Sequence, residues 1–398
     1  MILDILALSI ALLISIPLWV VGTECLIAIL LDTKSKPCPE TLQPSISYKI
    51  LIPAHNESKI IGLTLSRLIA ELPGKNPADI VLVADNCTDT TAEIARNLGA
   101  TVLERNDLSN RGKGYALDFG IKHLESKGRP DILVIMDADC ETTKAALINL
   151  INTVALLHLP AQMTYLMHTI ENASIKQKIS GFAWLLKNKI RLSAMNKMGF
   201  PVTLTGTGMA FPWDALKTVN LGHGNLVEDM QLGIDCAING YPPVFCSEAY
   251  VYSDFPEQSA AELSQRTRWE HGHLQTIFQQ VPKLIKESFI RKNWRLFVLA
   301  LDIGVPPLSL TVMISLSGLL TIALLAFITD ATTAFVILLS SFIYFAVMLA
   351  GIWRTHGQHY LSAKELAAIP LYVVSKLSIY LTYLSKRQKE WVRTDRNS

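Results

Sequence analysis

Val134-Ile135-Met136-Asp137-Ala138-Asp139 is an apolar run that ends in two carboxylates separated by one small residue. A hard divalent cation takes oxygen ligands, and a carboxylate pair of this kind can bridge the protein to a diphosphate and offset the charge of a departing group. The same pattern also serves as a solvated turn or a helix cap, so its meaning depends on its company. Pro53-Ala54-His55-Asn56-Glu57 ends an earlier apolar run, and Ala84-Asp85-Asn86-Cys87-Thr88-Asp89 ends another. Gly112-Lys113-Gly114 opens a helical stretch, where the glycines permit close backbone approach and Lys113 can meet a phosphate, or simply face solvent.

Three further stretches carry reactive or binding side chains. Thr205-Gly206-Thr207-Gly208 is a small, flexible loop between apolar runs, and Glu228-Asp229 opens a helix after Val227. A carboxylate there can act as a general base toward an acceptor hydroxyl, or only as the acidic first turn of a helix. In Gln265-Arg266-Thr267-Arg268-Trp269 the arginines can hold a pyrophosphate and the indole can stack on a sugar. A short helix of this composition also suits a membrane headgroup layer.

These groups need elements to position them. Residues 48–53, 80–84, 101–104 and 131–136 are short, β-branched-rich apolar runs and read as buried strands. Residues 58–72 and 90–98 have helical spacing, the second opening on Asp89, Thr90 and Thr91 as capping residues. Alternating strands and helices imply an α/β domain with a mostly parallel sheet, in which ligands bind beyond the carboxyl ends of the strands. The clusters His55-Asn56-Glu57, Asp85-Asn86 and Asp137-Ala138-Asp139 all fall at such ends.

The chain has 398 residues, half of them hydrophobic and 18% charged, with a net charge of +2. That balance gives no field for nucleic acid, and none is expected as a partner. Cysteines 25, 38, 87, 140, 236 and 246 form no CxxC pair, which points to a reducing compartment. Apolar residues concentrate at the two ends. Residues 5–31 carry a single charge at Glu24, residues 303–329 and 331–353 carry none, and residues 366–385 carry only Lys376. Each of the first three suffices to span about 30 Å of hydrocarbon. The first lacks a basic start and a cleavage site and reads as a retained anchor. Lys34, Lys36, Lys283, Lys286, Arg291, Lys292 and Arg295 flank the spans on one side, while the loop at Asp330 has no basic residue. This bias puts the central domain in the cytoplasm, at the inner or plasma membrane. Lys386, Arg387, Lys389, Arg393 and Arg396 prefer that side too, which favours an interfacial or re-entrant fourth segment. The expected layout is a helix over 1–31, a linker over 32–47, a catalytic domain over 48–255, interfacial helices over 256–296, a membrane region over 297–385 and a basic tail over 386–398.

Taken in order, these residues resemble the membrane-bound family 2 glycosyltransferases, the group with cellulose, hyaluronan and poly-N-acetylglucosamine synthases. The family's D, DxD, [TE]D and QxxRW elements look like Asp85, Asp137 to Asp139, Glu228-Asp229 and Gln265 to Trp269. The resemblance covers residues 48–272 and implies a GT-A fold, Rossmann-like in its nucleotide-sugar part, with inversion by direct displacement. It implies that Ala54, Glu57 and Asp85 contact a uridine-like nucleoside and that Lys113 and Asp137 lie near ribose and phosphates. Asp139 would hold Mg2+ or Mn2+, and Asp229 would be the base. Gln265 and Arg268 would hold the diphosphate, with Gly206, Thr207, Gly208, Glu228 and Trp269 on the acceptor side. One span before the domain and about three after it are expected, fewer than in the larger synthases, no appended regulatory domain is expected, and Trp391-Val392-Arg393-Thr394 has no assignment.

The expected activity is transfer from a UDP-sugar to a polysaccharide or exopolysaccharide, with membrane lipids around the chain and an export or assembly partner beside it. The alternative is a single transfer to a lipid acceptor such as a polyprenyl phosphate, sterol or ceramide-like molecule. A membrane assembly component that only binds nucleotide would leave the carboxylates dispensable. A sugar nucleotidyltransferase is disfavoured, because no GGxGxR-like loop follows the first strand.

Overall fold

A computed structural model describes residues 2–31, 41–42, 46–168, 173–222, 224–225, 227–255, 259–329 and 331–385. Lys34, Lys36, Cys38, Asp330 and the tail from Lys386, with Trp391 to Thr394, lie outside the described residues.

The four β-branched runs form strands β1 (Tyr48–Ala54), β2 (Ile80–Asp85), β3 (Thr101–Arg105) and β4 (Ile132–Ile135). Every residue of β2 and β4 is buried, as expected of strands covered on both faces. Four more strands complete an eight-stranded sheet: β5 (Glu141–Thr142), β6 (Ala161–Met167), β7 (Met209–Pro212) and β8 (Val244–Ser253), in the order β3-β2-β1-β4-β7-β6-β8-β5. The β1–β2, β2–β3, β1–β4 and β6–β8 pairs are parallel, while β7 runs antiparallel to β4 and β6, and β5 to β8. The chain winds outward from β1 to β3 and then returns to the other side of β1. That reversal makes the carboxyl ends of β1 and β4 the crevice where such sheets take ligands.

Helices begin later than the spacing predicts. The first is Ile61–Glu71, because the amides of Ile60 and Ile61 turn back onto the Glu57 carbonyl and Ser58 N–H is taken by Asp89. The second is Thr91–Asn97, capped by Asp89 Oδ1, which accepts from Thr91 N at 3.0 Å. Under the sheet, Leu51, Val83, Leu117, Leu133 and Phe211 share one core. Burying each such side chain contributes about 1.5–3 kcal/mol. The QxxRW-like stretch is not a short helix: it lies on one 32-residue helix, Ser259–Ile290, which continues through Pro282. The sequence has no glycine pair or turn cluster to stop it before Arg291-Lys292-Asn293, where Lys292 turns to φ 50°.

A second unit comprises residues 1–33, 169–198 and 273–387. It contains four helices long and apolar enough to cross a membrane, Ile2–Leu30, Leu308–Ala326, Thr332–Gly357 and Glu365–Tyr383, counted among the described residues. The apolar run from 303 is interrupted by Pro306 and Pro307, so its helix starts at Leu308. The fourth run breaks at Lys376 into Ile369–Ser375 and Leu377–Ser385. Lys376 is buried, and its ammonium stands 5.4 Å from the centre of the Tyr372 ring. Trp19 stacks on Tyr344 and donates to Ser341 Oγ at 3.0 Å, joining the first helix to the third. Arg191, at the end of the π-helical turn Leu186–Arg191, pairs with Glu24 at 2.6 Å and with Asp302 at 2.5 Å, both carboxylates being buried.

Candidate active site

The ends of β1, β2 and β4 open into a cavity of about 420 Å³. Ala54, Glu57 and Asp85 line it from β1 and β2, Asp137 and Asp139 from β4, Lys113 from the start of the helix Lys113–Lys127, and Arg268 from the long helix. Gln265, Trp269, Glu228, Asp229 and the loop of Gly206, Thr207 and Gly208 are not part of that lining. Three of this second group, Gly206, Glu228 and Asp229, nevertheless reach the cavity through Lys113.

Lys113 Nζ lies 2.5 Å from Asp137 Oδ1 and 3.7 Å from Glu228 Oε1, and it donates to the Gly206 carbonyl at 2.8 Å. Burial works against its charge, but Asp137, Glu228 and Asp229 outweigh it and hold the ammonium pKa above its usual value. The loop that offers this carbonyl is fixed from beneath. Gln162, wholly buried in β6, donates to the carbonyls of Met163 and Thr207 at 2.9 Å and accepts from Thr205 N at 2.8 Å. Thr207 Oγ1 in turn accepts from Asp137 N at 3.0 Å. Gly208 has φ 62°, and a β-carbon there would meet Val251 at 2.7 Å, so both conformation and space require glycine.

Glu228 and Asp229 open the helix Glu228–Ile238. Asp229 Oδ1 accepts from Met230 N at 2.9 Å, and its Oδ2 would stand 3.3 Å from a β-carbon built on Gly206. Burial raises the pKa of Glu228 to about 7, opposed by Lys113 and reinforced by Asp229. Asp139 Oδ2 accepts from Ser253 Oγ at 3.0 Å, and the Cys140 thiol donates to Asp139 Oδ1 at 3.6 Å. Asp137, Asp139 and Cys140 can bring one ligand atom each within 4.8 Å of one another. Burial, reinforced by Asp137, pushes the Cys140 thiol up to about 12, and the hard oxygen donors of the cluster are the two carboxylates. Such a set fits a hard cation such as Mg2+ or Mn2+.

Arg268 Nε is buried without a hydrogen-bond partner among the described residues. Burial lowers this guanidinium from its usual value, opposed by Glu228, Asp137 and Asp229. A buried donor left open in a cavity wall is the group an anion would satisfy. Gln265 is buried and Trp269 half-buried on the same helix.

Four residues escaped the sequence reading: Arg105, Arg111, Gln162 and Ser253. Arg105 pairs with Asp85 at 2.6 Å. The parallel register sets Asp85 opposite Arg105, so aligning the ends of adjacent strands would have found it. Asn56 and Asn86, at φ 55° and 51°, turn the chain out of β1 and β2 in the left-handed region that asparagine tolerates. His55 Nδ1 donates to the Asp85 carbonyl at 2.6 Å and ties the two turns together.

Residues 44–272 match the family model described as Glycosyltransferase like family 2. The probable glycosyltransferase YdaM of Bacillus subtilis (strain 168) is 24% identical over 260 residues, 62% of this chain and 60% of the relative. The chain thus spans about three fifths of that relative's length. The 4,4'-diaponeurosporenoate glycosyltransferase of Staphylococcus aureus (strain USA300) is 39% identical over 77 residues, 19% of this chain and 20% of the relative. Among solved structures, the mannosyltransferase PcManGT from Pyrobaculum calidifontis, in complex with GDP-Man and Mn2+, has a TM-score of 0.53 at 15% identity and covers 96% of this chain and 100% of its own. At that identity the likeness is one of fold.

Proposed function

Because the chain belongs to glycosyltransferase-like family 2, we propose that it transfers a sugar from a nucleotide-sugar donor, a UDP-sugar, to a glycan acceptor with inversion at the anomeric carbon. Its sheet unit has the GT-A fold. The observation that carries the reading is the cavity at the strand ends, where Asp137, Asp139, Lys113 and Arg268 converge. Asp139, with Asp137, would hold Mg2+ or Mn2+, which when bound supplies Lewis-acid stabilisation of diphosphate charge.

The chain's own groups then divide the work. Asp229 takes the proton of the acceptor hydroxyl, whose oxygen attacks the anomeric carbon as the bond to the diphosphate breaks. Lys113 and Arg268 meet the charge that develops on the leaving diphosphate. Gln265 and Trp269 complete the diphosphate and acceptor sides, and the Gly206 to Gly208 loop keeps Lys113 and Asp137 in place. Purified full-length chain is expected to turn over one nucleotide sugar from a panel of UDP- and GDP-sugars, and only with added Mn2+ or Mg2+. No turnover of any donor, or turnover indifferent to excess chelator, would overturn the reading.

A second acceptor class has one observation in its favour, the relative named for 4,4'-diaponeurosporenoate, a single acid and not a polymer. Under that reading one sugar passes to a lipid acceptor. Product that lengthens with time selects the glycan, and one sugar on an extractable lipid selects the alternative.

The basic residues Lys283, Lys286, Arg291, Lys292 and Arg295 before the helix Leu308–Ala326 support placing the catalytic domain and the tail on the cytoplasmic side of the cell membrane. In intact cells a Ser398→Cys tail is expected to gain no label from an impermeant thiol reagent over the parent chain. Labelling from outside refutes the tail's placement.

A further inference from the structure

Arg105 closes β3 and has no part in the chemistry above. Its Nη1 donates to Asp85 Oδ1 at 2.6 Å, and its Nη2 to Asp107 Oδ2 at 3.0 Å and to the Asn110 carbonyl at 2.8 Å. The guanidinium carbon stands 5.7 Å from the centre of the Tyr115 ring. Arginine and aspartate side chains are each 9% exposed. Asn86 Nδ2 adds a second bond to the same Oδ1 at 3.0 Å. Asp85 Oδ2 receives no hydrogen bond from the described residues, and Asp85 lines the cavity.

The cavity has a direction. Asp137, Asp139, Lys113 and Arg268 gather at the β4 end, and Asp85 lies two strands away across β1. At the usual strand spacing that separation is about 10 Å. A nucleoside diphosphate puts its phosphates at the end with the cationic side chains and the metal-binding carboxylates. Its base then reaches the Asp85 end.

A carboxylate with one open oxygen accepts one donor. Uracil offers a single N3–H between two carbonyls, whereas guanine offers N1–H and its amino N–H side by side, which match both oxygens of a free carboxylate. We propose that Arg105 is the residue that sets base selectivity, because by occupying Asp85 Oδ1 it leaves one acceptor in the cavity and so selects a uridine nucleotide over a guanosine one. Burial raises the Asp85 pKa, and the Arg105 guanidinium opposes that shift. Arg105 touches Asp85 and not the base, and is a positioning residue. The inference rests on the donor reading proposed above.

The test is calorimetric binding of UDP and of GDP, each with Mn2+, to purified full-length chain and to its Arg105→Gln and Arg105→Lys variants. The parent is expected to bind UDP at least about tenfold tighter than GDP. In Arg105→Gln that ratio falls toward one, with Arg105→Lys between the two. A parent that binds GDP as tightly as UDP overturns the inference, as does an Arg105→Gln that weakens both nucleotides by the same factor. Should Arg105→Gln fail to fold, Arg105→Lys carries the test, a lowered ratio supporting the inference and an unchanged one overturning it. Failure of the parent to bind either nucleotide overturns the donor reading, and this inference with it.

Discussion

Asp139→Ala is expected to lower metal-dependent donor turnover by at least about 10²-fold while the chain stays folded. Asp139 follows β4 and is not one of its paired residues, so the sheet register does not depend on it. What is lost is a carboxylate held in one orientation by Ser253 and lying within ligand distance of Asp137. The remaining Asp137 is tied to Lys113 and is a poor substitute, because a cation there competes with the ammonium. Steady-state turnover with Mn2+ titrated into parent and variant checks the expectation, with the thermal unfolding midpoint as the control for folding. Near-parental activity in the variant, or parental activity that survives excess chelator, would remove Asp139 from the metal site.

Asp229→Asn is expected to slow transfer by about 10²–10⁴-fold at saturating donor while leaving donor affinity nearly unchanged, the signature of a lost base. Asparagine keeps the bond to Met230 N and the local shape but takes no proton. Glu228 is the rival. Its burial and its pKa of about 7 are properties a base can use, yet it faces Lys113 at 3.7 Å, a contact that suits a charge-balancing role. Glu228→Gln should therefore cost less than Asp229→Asn. A limb of the pH–rate profile near 7 that disappears in Glu228→Gln, together with the larger rate loss there, would transfer the role to Glu228.

The half of the sheet made of β1 to β4 was legible because its strands are short, apolar and β-branched, each ending in polar residues. Seven residues named from the sequence, Ala54, Glu57, Asp85, Lys113, Asp137, Asp139 and Arg268, line one cavity, since strand ends at a reversal of sheet order must converge. The other half was hidden for a physical reason. Strand β6 is buried throughout yet carries Gln162, which bonds the Thr207 carbonyl of the loop, and Thr164, which bonds the Ser247 carbonyl of β8, so its hydrophobic pattern is broken where the loop most needs support. The pair of Asp85 and Arg105 is 20 residues apart in the chain and meets only through strand register. Lys376 shows the converse: the sequence marks it as costly in an apolar run, but not that the helix breaks there and the side chain is buried over Tyr372.

The pairing of Glu24 with Arg191 also orders the birth of the protein. Glu24 lies on a helix that leaves the ribosome before its partner, which follows 167 residues later. During that interval the apolar nascent helix carries an unmatched carboxylate, a group that costs up to about 2.5–3.5 kcal/mol where a helix places it at a bilayer centre. That helix therefore reaches its resting environment late, because the carboxylate is matched only once Arg191 has emerged, and the cluster closes only with Asp302.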